Sequence, residues 1–224
     1  MRHCFRNFWT AGLLLTLSRP NFAESCAGWP DSAVPTITVP TITVRVYDYA
    51  GVPPAIAKRA SEESGRIFRK AGVATEWILC TIPGQVMAVH PRCATRPLAT
   101  AIQLNILPAR MARGVMRHHS ELGLAVPLPN GFGRHASVFY HRVDELAESG
   151  QASRALLLGH VMAHEIGHLL LGVNSHSATG LMQQPWGRDQ RERASLGTLL
   201  FTGKEAEQIR RQVADRFCAS QARR

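Results

Sequence analysis

Residues 154–171 read RALLLGHVMAHEIGHLLL, and residues 172–182 continue GVNSHSATGLM. Leu156 to Leu158, Val161, Met162, Ile166 and Leu169 to Leu171 recur so densely that a helix built from them has almost no polar face, the signature of a buried helix. Ser153 stands where a side-chain cap would open it, and Gly172 where a glycine would close it. The polar exceptions are His160, His164, Glu165 and His168. Burying such groups is costly unless something satisfies them, and a bound metal would do so.

The spacing makes the metal reading specific. His164 and His168 are four residues apart, so a helix stacks them on one face about 6 Å apart along its axis, with both imidazoles free to aim at one ion. Imidazole suits zinc, and a catalytic zinc keeps one position open for water. Glu165 lies off the face of the two histidines and reaches such a water instead of the ion, the placement of a general base. His160, one turn earlier, could line the same face, but a fourth protein ligand would close the site to water. Beyond Gly172, His176 is the expected third ligand, arriving from the loop that follows the helix.

HEIGHLLLGVNSHSATGLM resembles the metzincin zinc proteases, and within them the matrixin-like bacterial branch. The resemblance spans residues 154 to about 186. It implies zinc ligation by His164, His168 and His176, a general base at Glu165, and a methionine turn beneath the metal at Met182. It also implies that Leu122 to Val126 is an edge strand able to pair with an extended peptide; the residues alone are equally compatible with an ordinary sheet strand. The chain departs from the family pattern. One extra residue stands on each side of Gly172, so strict register would place Asn174 in the third ligand slot, and a neutral amide is a poor zinc ligand. Glu192 and Glu205 are downstream alternatives, although Thr202 and Glu205 also form a capping box for a helix through Phe217, with Ala206, Ile209, Val213 and Phe217 as its apolar stripe. Trp186 stands where it could wall a substrate pocket or simply pack.

Working outward, Ile42, Val44 and Val46 alternate with polar residues as in a half-buried strand. Pro53 and Pro54 open a helix carrying Ile56, Ala60, Ile67 and Phe68, with Gly72 as its stop. Further strands are expected at Thr75 to Leu79, Ile102 to Ile106, Leu122 to Val126 and Ala136 to Val143, with residues 81–97 a loop. Several strands follow one another without intervening helices, so some antiparallel pairing is expected. The expected fold class is α+β, and the resemblance implies a metzincin-like zincin with a twisted mixed sheet, an active-site helix and a C-terminal helix.

The 224 residues suffice for one domain with a sizeable core. Arg2, Arg6 and the apolar run Phe8 to Leu17 before Ala23 give a signal peptide over residues 1–23, followed by a lead-in over 24–39 and a zinc metalloprotease domain over 40–224. Cleavage after Ala23 removes three arginines and no acidic residue from a chain of formal charge +10. The basic residues are scattered, which reads as solvated surface and gives no sign of nucleic-acid binding. The same cleavage removes Cys4 and leaves Cys26, Cys80, Cys93 and Cys218, an even set; Cys80–Cys93 is the favoured pair, with Cys26–Cys218 then joining the ends. The expectation is therefore a secreted or periplasmic zinc endopeptidase acting on a peptide or protein, with no membrane span after signal cleavage and no oligomeric state legible. The alternative is a secreted zinc-binding or interaction protein without catalysis; Glu165 distinguishes them, since a structural site needs no base.

Overall fold

The computed structural model describes residues 39–80, 90–95, 99–116, 118, 121–129, 132–150 and 152–221. The signal expected over residues 1–23, nearly all of the lead-in over 24–39, and Cys26 lie outside them. Alternating apolar residues build β1 (Thr41–Asp48), whose Ile42, Val44 and Val46 are buried. The Asp48 carboxylate accepts hydrogen bonds from the backbone N–H groups of Ala50, Gly51 and Val52, turning the chain into α1 (Pro54–Lys70). Gly72, at φ 81°, ends that excursion and β2 (Ala74–Cys80) returns parallel to β1. A short helix, α2 (Pro91–Ala94), lies in the segment expected to be loop. It carries Cys93, which is disulfide-bonded to Cys80 as expected. Cys218 is also disulfide-bonded, while the partner expected for it lies outside the described residues.

β3 (Ala101–Leu107) joins β1 in parallel and leads into α3 (Ala109–Ala112). Then come β4 (Gly123–Val126) and β5 (His135–Phe139). The sheet order is β2-β1-β3-β5-β4, with β5 parallel to β3 and β4 antiparallel to β5. The expected antiparallel pairing is thus confined to one edge, and the sheet is mixed. The strand expected over Ala136 to Val143 stops at Phe139, because Tyr140 begins α4 (Tyr140–Gly150). Val143 and Ala147 are buried on that helix, one turn apart, so Val143 packs with helical and not strand periodicity.

α5 (Arg154–Leu171) is the buried helix of the opening sequence, with Ser153 Oγ accepting from Leu156 N–H at its start. It packs on α1, α4, β4, β5, α6 (Arg188–Ser195) and α7 (Gly203–Gln221). The Thr202–Glu205 capping box is present: Thr202 N–H donates to Glu205 Oε2 and Glu205 N–H to Thr202 Oγ1. Ala206, Ile209 and Val213 are buried on α7 as expected, but Phe217 is 46% exposed and Arg216 takes the next buried position. The residue one step earlier wins because its guanidinium finds carbonyl acceptors in the interior. None of the described helices is long and apolar enough to cross a membrane.

Candidate metal centre and its cleft

The three histidines converge. One nitrogen from each of His164, His168 and His176 lies within 4.8 Å of the others. His164 and His168 come from one face of α5, with their Nε2 atoms 3.1 Å apart. His176 arrives from the loop. There the longer spacing is absorbed by α5 running on to Leu171, by Gly172 at φ 87° and ψ −165°, and by Asn174 in the left-handed region at φ 56°. The first conformation is open to glycine alone and the second is tolerated by asparagine. Asn174, the residue in strict register, borders the cleft but is not in the histidine cluster; neither Glu192 nor Glu205 is in it.

Second contacts orient the rings. His164 Nδ1–H donates to the Leu181 carbonyl at 2.8 Å, which leaves the Nε2 lone pair directed at the cluster. His168 Nδ1 is 2.7 Å from Ser175 Oγ. Such partners fix tautomer and orientation in metal-binding imidazoles. Burial, with the neighbouring histidines second, pushes His168 down to about 3; burial pushes His164 down to about 4. Both rings are therefore neutral at pH 7, the form that ligates. Tetrahedral donors about 2.05 Å from a zinc ion stand roughly 3.3 Å apart, close to the Nε2 separation seen here. Three neutral imidazoles with one side left open are the donor set of a catalytic zinc site, so the residues present fit zinc.

Glu165 is 5% exposed and lines the same cleft without joining the cluster. Burial, with the charge of Glu121 second, pushes its carboxyl up to about 8. An opposite charge nearby acts in the other direction and favours the carboxylate. Gly123 of β4 lies directly against it: a Cβ there would sit 2.6 Å from Cγ, Cδ and Oε1 of Glu165. The cleft, about 240 Å³, runs between β4 on one side and the segment Gln183 to Trp186 on the other. Trp186 does wall it, its ring edge-on to His164 at 5.9 Å. Met182 is fully buried beneath α5, where Gly167 leaves space for its sulfur.

His160 plays no part in the cluster. Its Nδ1–H donates to the Leu156 carbonyl, and its Nε2 lies 3.6 Å from Glu63 Oε1, on the α1 side of the helix. His135 is exposed at the start of β5 and His118 is exposed, both outside the site. Sequence reasoning passed over Ser175, whose only signal is adjacency to His176, and Gly123, whose role depends on a strand meeting a helix 42 residues downstream.

No protein-family model matches the chain, and no curated protein matches it. Among solved structures, it is similar to archaemetzincin from Methanopyrus kandleri, solved at 1.5 Å. The identity is 14%, 81% of this chain and 99% of that chain are covered, and the TM-score is 0.44. A likeness at that level assigns no activity.

Proposed function

We propose that this chain is an exported zinc-dependent endopeptidase of the metzincin kind. The reading is carried by one arrangement: His164, His168 and His176 converging beside Glu165, in a cleft bordered by an edge strand. Those three imidazoles would hold the ion. When bound, zinc supplies a Lewis acid and brings the pKa of a water to about 7.

The protein's own residues do the rest. Among the described residues β4 hydrogen-bonds to β5 on one side and ends the sheet on the other, so its outer edge would accept an extended peptide by backbone pairing. That pairing lays the scissile bond along the cleft, next to Glu165. With a cation held by the histidines favouring its ionised form, the Glu165 carboxylate would take a proton from water as the bond is attacked and yield it to the departing amine. The walls formed by Leu122, Trp186 and Val161 restrict bulk water. Export is supported by the N-terminal signal pattern and by the Cys80–Cys93 disulfide, since such bonds persist in oxidising compartments.

The purified chain is expected to hold one zinc and to cleave an unstructured protein such as casein. A chelator should abolish the cleavage and added zinc restore it. Stoichiometric zinc without chelator-sensitive cleavage of any of a mixed panel of peptides would instead favour the zinc-binding protein without catalysis.

A further inference from the structure

We infer that Arg216 is a positioning residue that sets the geometry of the cleft from the C-terminal helix, an inference that rests on the zinc-peptidase reading. Arg216 is the largest fully buried side chain among the described residues. Burial lowers its pKa only to about 10, so it stays charged at neutral pH. A buried cation is costly unless its donors are used. Its Nη2 donates to two backbone carbonyls, Leu169 at 2.7 Å and Gly133 at 2.9 Å. Its guanidinium also lies 5.8 Å from the centre of the Phe132 ring.

The two carbonyls belong to two parts of the frame around the site, the histidine helix and the segment that supports β4. Leu169 directly follows His168, and its carbonyl is among the last four of α5, which have no partner within a regular helix. A cation at a helix C-terminus is also favoured by the helix dipole. The same turn is held at two further points. Gly172 N–H donates to the His168 carbonyl, and Gln208 of α7 donates to the Leu171 carbonyl. α7 thus closes the turn at which α5 passes into the loop bearing His176.

Gly133 backs the β4 wall. A Cβ on it would lie 2.6 Å from the Val126 carbonyl oxygen and 3.0 Å from Pro127 Cα, so this backbone rests directly on the end of β4. One guanidinium nitrogen therefore spans from the last turn of the histidine helix to the support of the edge strand. Without it, the α5 turn is free to shift relative to β4. Both the convergence of the histidines and the fit of a strand-like substrate should loosen.

The test uses the full chain and zinc alone as the first probe. Zinc affinity is measured by competition with a chromophoric chelator for wild type, Arg216→Met and Arg216→Lys, and peptide hydrolysis is then resolved into kcat and KM. Arg216→Met is expected to weaken zinc at least tenfold and to raise KM more than it lowers kcat, with Arg216→Lys falling between, about threefold weaker in zinc than wild type. If Arg216→Met does not fold, Arg216→Lys carries the test: zinc weakened about threefold with a matching rise in KM supports the role, and wild-type values of both overturn it. A folded Arg216→Met with wild-type zinc affinity and KM likewise overturns it while leaving the zinc-peptidase reading intact. A wild-type chain that takes up no zinc sinks both.

Discussion

Glu165→Gln is expected to keep its zinc and lose about 10²- to 10⁴-fold in kcat, the range a positioned general base contributes. The substitution preserves size and removes the ability to accept a proton. Glu165 is not in the cluster that would hold the ion, so zinc content should not change. Stability should not fall either. In the zinc-free chain burial pushes the carboxyl up to about 8, so there the pocket favours the neutral form, and glutamine, permanently neutral, should leave the thermal midpoint of the zinc-free chain unchanged. Zinc content, the thermal midpoint and single-turnover peptide cleavage check the three parts. A kcat within tenfold of wild type would remove Glu165 from the chemistry, and loss of zinc would make it a ligand.

Gly123→Ala should reproduce much of that loss without touching an ionisable group. The added methyl would overlap Cγ, Cδ and Oε1 of Glu165, so the carboxyl must swing away from its present position into the cleft it lines. Displacing a reacting group by about 1 Å costs on the order of 10²-fold in rate. The histidines are untouched, so zinc affinity should stay at the wild-type value. The double variant with Glu165→Gln should be no slower than Glu165→Gln alone, since both act on one carboxyl. Additive losses would show instead that Gly123→Ala acts on the edge strand and its pairing with peptide.

The helix and two of its clustered histidines were legible because their signal is local. An apolar run with histidines four apart carries its own geometry, and Ser153, Gly172 and the Thr202–Glu205 box mark helix ends by chemistry that needs no distant partner. His176 was harder. Its departure from the family spacing is resolved by backbone conformations at Gly172 and Asn174 that no spacing rule encodes. Tyr140–Gly150 was misassigned at its start because Ala136 to Phe139 is a true strand and the chain passes into α4 without a break. Arg216 was one of the scattered basic residues read together as solvated surface, since its partners, Gly133 and Leu169, lie 83 and 47 residues away. Gly123 is silent for the same reason. The local chemistry of this site is written in one segment, while the supports that give it shape come from across the chain.

The central claim is that three histidines, the third of them His176, hold one zinc ion. Zinc titration of the wild type, His176→Ala and Asn174→Ala tests it most directly, with X-ray absorption on the zinc-loaded chain to count imidazole ligands. One zinc per chain is expected, with three imidazole nitrogens about 2.0–2.1 Å from it. Binding should be markedly weaker in His176→Ala and at the wild-type level in Asn174→Ala. Wild-type affinity in His176→Ala together with zinc loss in Asn174→Ala would contradict it.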